Sequence, residues 1–126
     1  MILDTHTLVW ALLGNERLGP KQTARINDPN TLIYISAVSG YEIANKFRIG
    51  RFPQAAAILE LAKRNFQDFD WQLLPITLRH ATLAGILESE HRDPFDRILA
   101  AQAIVENMPV MTVDIQIRDL GAAVVW

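Results

Sequence analysis

A chain of 126 residues, half of them hydrophobic, can build one solid core and has no room for a second, so a single domain over residues 1–126 is expected. The absence of cysteine excludes disulfides and thiolate metal sites. A net charge of −2 argues against a protein that coats nucleic acid or an anionic membrane, yet it leaves room for a nuclease whose acidic centre is offset by a cation. Asp4 arrives too early for a signal peptide, and the longest apolar stretch, broken by Gln102, is too short to cross a bilayer; a cytoplasmic location is expected.

Met1-Ile2-Leu3 reads as the inner part of a first strand that ends at Asp4, and Leu8, Val9, Leu12 and Leu13 then recur at helical spacing until Gly14-Asn15. A short helix is expected from Pro20 to Ile26, followed by a turn at Asp28-Pro29-Asn30. Thr31 to Ile35 is a continuous β-branched and aromatic run, the pattern of a strand buried on both faces. Ser36 can cap the next helix, which carries Tyr41, Ile43, Ala44 and Phe47 and closes with Lys46, Arg48 and Gly50. Gln54 to Phe66 reads as another helix. Trp71 to Ile76 reads as a third strand, which Pro75 places at an edge or at the strand's end.

Thr77 opens a helix through Leu87, and a polar loop from Glu88 to Arg92 leads into Asp93-Pro94-Phe95-Asp96-Arg97 and an apolar helix. After a break at Asn107 and Pro109, Val110 to Val113 forms a fourth strand ending at Asp114, Ile115 to Leu120 a helical turn, and Ala122 to Trp126 a final strand. Strands alternating with helices imply an α/β fold, a three-layer α/β/α sandwich around a mostly parallel sheet of about five strands.

In such a sheet, ligands bind beyond the carboxyl ends of the strands, where strand order reverses. Asp4 and Asp114 each follow a predicted strand, Glu42 lies early in the helix after the second strand, and Asp96 opens the helix before the fourth. Each acid has a plain structural alternative: Asp4 and Asp114 as helix caps, Glu42 as the partner of Lys46 four residues on, Asp96 as a charge near a helix N-terminus capped by Asp93. Capping does not require all of them to share one end of the sheet. If they converge, they must hold a cation or raise one another's pKa, and an oxygen-only set selects Mg2+ or Mn2+ over zinc. Such ions retain waters that can attack a phosphodiester, so metal-dependent phosphodiester hydrolysis is the expected chemistry.

Met1-Ile2-Leu3-Asp4-Thr5-His6-Thr7-Leu8-Val9-Trp10, Ile35 to Ala44 around Glu42, His91 to Ala103 around Asp96, and Thr112-Val113-Asp114 together resemble a PIN domain of the VapC toxin type. The resemblance runs nearly end to end. It implies a Mg2+- or Mn2+-dependent endoribonuclease, the toxin of a type II toxin–antitoxin pair, held inactive by a cognate antitoxin and commonly dimeric. Carried over by position, Asp4, Glu42 and Asp96 match the family's central acids and Asp114 its more variable fourth, making these four both the catalytic and the metal-binding set.

Asp93, Ser36 and Thr112 are expected as caps or supporting groups, and His6 as a polar helix-start residue where the family often has asparagine. Lys46, Arg48, Arg51, Arg92 and Arg97 are candidate RNA phosphate binders. Two other readings compete with this one. A phosphohydrolase with Asp4 as nucleophile would want a second aspartate where His6 stands, and a non-catalytic PIN-like interaction module would have no need of all four acids.

Overall fold

The computed structural model describes residues 1–126. Five strands, β1 (Ile2–Leu3), β2 (Ile33–Ser36), β3 (Trp71–Leu74), β4 (Val110–Met111) and β5 (Val124–Val125), form one sheet in the order β3-β2-β1-β4-β5. All pairings are parallel, so the expected mostly parallel sheet is entirely so. Seven helices connect and cover it: α1 (Thr5–Leu13), α2 (Pro20–Ile26), α3 (Ala37–Arg48), α4 (Ala55–Lys63), α5 (Leu78–Ile86), α6 (Pro94–Glu106) and α7 (Ile115–Asp119). Beside β1 the chain order runs toward β2 on one flank and toward β4 on the other, which opens a crevice at the carboxyl ends.

Side-chain alternation along the strands divides the core in two. Met1, Leu3, Ile33, Ile35 and Met111 point to one face, where Leu8, Ile26, Ile43, Ile58 and Phe66 cover them. Ile2, Val110 and Leu74 point to the other, against Leu99, Ala100, Ala103, Ile117 and Leu120. Helix α3 lies at the seam, giving Val38 to one cluster and Ile43 to the other. No helix is long and apolar enough to cross a membrane.

Several boundaries differ from the sequence reading. Helix α4 stops at Lys63 because Asn65 and Phe66 take positive φ values of 52° and 51°, a turn that carries Phe66 into the core. Strand β3 ends at Leu74, before Pro75, and lies at the sheet edge. β2 begins at Ile33, leaving Leu32 exposed, and β4 and β5 pair over two residues each.

The fully buried Gln102 on α6 joins that helix to the sheet. Its Oε1 accepts from Ser36 Oγ, and its Nε2 donates to Pro75 O at 3.2 Å and Leu74 O at 3.5 Å. Gln102→Leu conserves bulk but orphans these groups, so it should lower unfolding free energy by about 1–3 kcal/mol in urea denaturation. A change under about 0.5 kcal/mol, the range of a featureless surface substitution, would contradict this role.

Candidate active site

Asp4 is the residue where β1 becomes α1. Its backbone is extended and its carboxylate caps the helix, Oδ1 accepting from Thr7 N at 2.6 Å. The side chain is buried at 4% exposure. A buried carboxylate needs donors, and Thr112 Oγ1 supplies the second at 2.5 Å to Oδ2. The same Thr112 oxygen accepts from Asp114 N at 2.9 Å. Asp114 in turn caps α7 through Gln116 N at 2.8 Å. One threonine thus couples the acid after β1 to the acid after β4. Two further bonds fix the same corner: Thr7 Oγ1 donates to Met111 O and Thr5 Oγ1 to Ser39 Oγ, each at 3.0 Å.

Glu42 stands on α3 as one partner of an i,i+4 pair, Lys46 Nζ lying 2.8 Å from its Oε1. Asp96 lies in the first turn of α6, where Asp93 accepts from Phe95 N and Asp96 N as the cap and Pro94 opens the helix. Asp96 Oδ2 meets His91 Nε2 at 2.7 Å. Burial pushes the Asp96 carboxyl above its ordinary value; the His91 hydrogen bond opposes that rise, while the nearby charges of Asp93 and Asp114 add to it.

Asp4, Glu42, Asp96 and Asp114 all line one recess, together with Thr5, His6, Val38, Phe95 and Leu99. Its volume of about 20 Å³ is enough for a single water-sized occupant. The ring of Tyr41, itself exposed, lies 5.6 Å from that of Phe95. Asp93 caps and does not line the recess. Ser36 is likewise directed elsewhere, capping α3 through Val38 N and bonding Gln102. Larger hollows exist, including one of about 380 Å³ bordered by Ile33 and Trp71 at the opposite end of the strands. Two of its three acids are already engaged, Asp28 with Asn30 and Asp68 with Arg64.

Among the candidate phosphate binders, Arg97 is turned toward the backbone of its own neighbourhood. Its guanidinium donates to the carbonyls of Ala84 at 2.9 Å, Leu87 at 2.7 Å, His91 at 2.9 Å and Ser89 at 3.3 Å. A fork with four of its five N–H donors committed to these carbonyls organises the loop that carries His91. Arg48, bonded to Asn45, and the side chains of Arg51 and Arg92 remain exposed, while Lys46 is half-buried. The sequence reading missed the pairing of His91 with Asp96, whose only signal is a histidine five residues before the acid.

Fold and recess together define a parallel α/β domain with an acidic cluster at the carboxyl end of its sheet. The model of the PIN domain matches residues 1–123, and the chain belongs to that family. Comparison with curated proteins gives no match. Among solved structures, the chain is similar to a chain of VapBC2 from Rickettsia felis bound to a DNA fragment from their promoter, with a TM-score of 0.63, 17% identity, and coverage of 98% of this chain and 96% of that one. It is similar to a chain of DNA-bound VapBC from Salmonella typhimurium, with a TM-score of 0.61, 16% identity, and coverage of 98% and 95%. A chain of FitAB bound to the IR36 DNA fragment gives a TM-score of 0.63, 22% identity, and coverage of 98% and 92%. At these identities the likeness is one of fold.

The raised Asp96 pKa makes a prediction about stability. A carboxyl whose folded pKa exceeds its unfolded value near 3.8 penalises the folded state increasingly as pH rises from 3.8 through the folded pKa. Relative to Asp96→Asn, the wild-type chain should therefore lose stability across that window in urea titrations and hold a constant deficit above it. A difference that does not vary with pH, or one that favours the wild type as pH rises, would contradict the burial effect.

Proposed function

We propose that this chain is a Mg2+- or Mn2+-dependent endoribonuclease that hydrolyses RNA phosphodiester bonds, the toxin of a toxin–antitoxin pair. The observation that carries the reading is the meeting of Asp4, Glu42, Asp96 and Asp114, from four separate segments, around one recess. Membership of the PIN family supports it. The solved VapBC and FitAB complexes favour a cognate antitoxin as partner, and the family resemblance favours a homodimer.

The donor chemistry suits a hard divalent ion, since the acids offer only carboxylate oxygens. An ionised carboxylate has about four acceptor positions. Asp4 uses one on each oxygen, and Asp96 and Glu42 each commit one oxygen to a cation or imidazole. As the side chains stand, no group of three or more acids or histidines is arranged to hold an ion. Ligation is expected to draw Glu42 from Lys46 and Asp96 from His91, exchanging a part-buried ion pair and a part-buried hydrogen bond for bonds to the cation.

Asp4 and Asp96 would then hold the ion most directly, with Glu42 as ligand or orienting a water and Asp114 acting at longer range. The ion supplies Lewis-acid stabilisation of phosphoryl charge and a water of lowered pKa. Thr112 and Thr7 keep Asp4 aimed, and Phe95 and Leu99 wall the recess from bulk water.

Purified chain should cleave single-stranded RNA with added Mg2+ or Mn2+ and stop with excess EDTA. Asp4→Asn and Asp96→Asn should each reduce cleavage by about a hundredfold or more while retaining the wild-type circular dichroism spectrum. Cleavage that survives chelation, or full activity in both variants, would refute the assignment.

A further inference from the structure

A second hollow adjoins the acidic recess and shares Thr5 and His6 with it. Its volume is about 290 Å³, at the small end of ligand clefts. Val9, Ile43 and Phe52 give it an apolar wall, Lys46 and Arg51 two cations, and no acid lines it. The backbone fixes the pairing of those cations. Gly50, at φ 76°, reverses the chain after α3, so that Arg51 N donates to Lys46 O at 2.9 Å. Lys46 also stands at the border of the two cavities, because its ammonium lies 2.8 Å from Glu42, which lines the acidic recess.

An apolar wall with a cationic edge matches one nucleotide, whose flat base prefers apolar and aromatic surface and whose phosphate seeks Lys or Arg. A volume of about 290 Å³ suits one ring system with its sugar. From this juxtaposition of Lys46, Arg51 and Phe52 beside the acidic recess, we infer that the hollow is the subsite for the nucleotide next to the scissile phosphate. Its base lies against Val9 and Phe52, and its phosphate is held by Lys46 and Arg51. When Glu42 turns toward a cation, Lys46 is released to that phosphate. This assignment rests on the reading of the recess as an RNA-cleaving centre.

The test is equilibrium binding of a fluorescein-labelled, mixed-sequence, cleavage-resistant phosphorothioate RNA decamer to the wild-type chain in saturating Mg2+, and to its Lys46→Gln, Arg51→Gln and Phe52→Leu variants, over a range of salt. Each cation variant should weaken binding about fivefold and reduce the slope of log affinity against log salt by about 0.7, the value for one single-strand phosphate contact. Phe52→Leu should leave that slope unchanged and narrow the preference for RNA over an abasic decamer of the same length. Unchanged affinity and slope in both cation variants, with the wild-type chain still cutting RNA, would overturn the subsite and spare the active-site reading. Normal RNA binding by these variants with lost binding of an acidic peptide would make the hollow a protein-docking site and overturn the nucleotide assignment. Failure of the wild-type chain to cut or bind RNA would overturn both.

Discussion

One buried carboxylate constrains the architecture of this protein. Asp4 sits at 4% exposure where the central strand becomes a helix, and an ionised group so placed costs several kcal/mol unless donors surround it. Those donors come from two directions, the first turn of α1 and Thr112 beyond β4. Satisfying one acid therefore locks the helix start to the neighbouring strand, at the place where the order of the strands reverses.

The consequence is a recess with one fixed and one adjustable wall. Asp4 and Asp114 are tied through Thr112 and by their own helix caps. Glu42 and Asp96 are instead held by the partly exposed partners Lys46 and His91. Each pair engages one carboxylate oxygen and can be exchanged for a cation, so these two acids can re-aim while the backbone stays in place. Arg97 serves the same end from behind. By gathering the carbonyls around residues 84–91, it gives a loop without regular structure the rigidity to present His91 to Asp96.

Five of the seven helices were legible because they begin with recognisable chemistry: Asp4, Ser36, Thr77, Asp93 and Asp114 all cap the helices that follow them. Strand ends were read too long, since apolar character persists past the residues that find a ladder partner; β1 pairs through only Ile2 and Leu3, and β4 is held to that register. The four acids could be placed from sequence because strand ends and helix starts in a parallel sheet fall at one edge. The contacts that hold them in position were not equally visible. Glu42 with Lys46 follows from helical spacing, whereas His91 with Asp96, Arg97 with its carbonyls, and Gln102 with Ser36 depend on how loops and α6 pack in three dimensions.

Anomalous diffraction from crystals of the chain soaked in Mn2+ tests most directly whether carboxylates from distant segments share a cation. Manganese in the recess, with oxygens of Asp4 and Asp96 at about 2.0–2.4 Å and Glu42 turned away from Lys46, is the expected result. Manganese bound only elsewhere, or a recess that excludes the ion at saturating concentration while Glu42 and Asp96 keep Lys46 and His91, would contradict it.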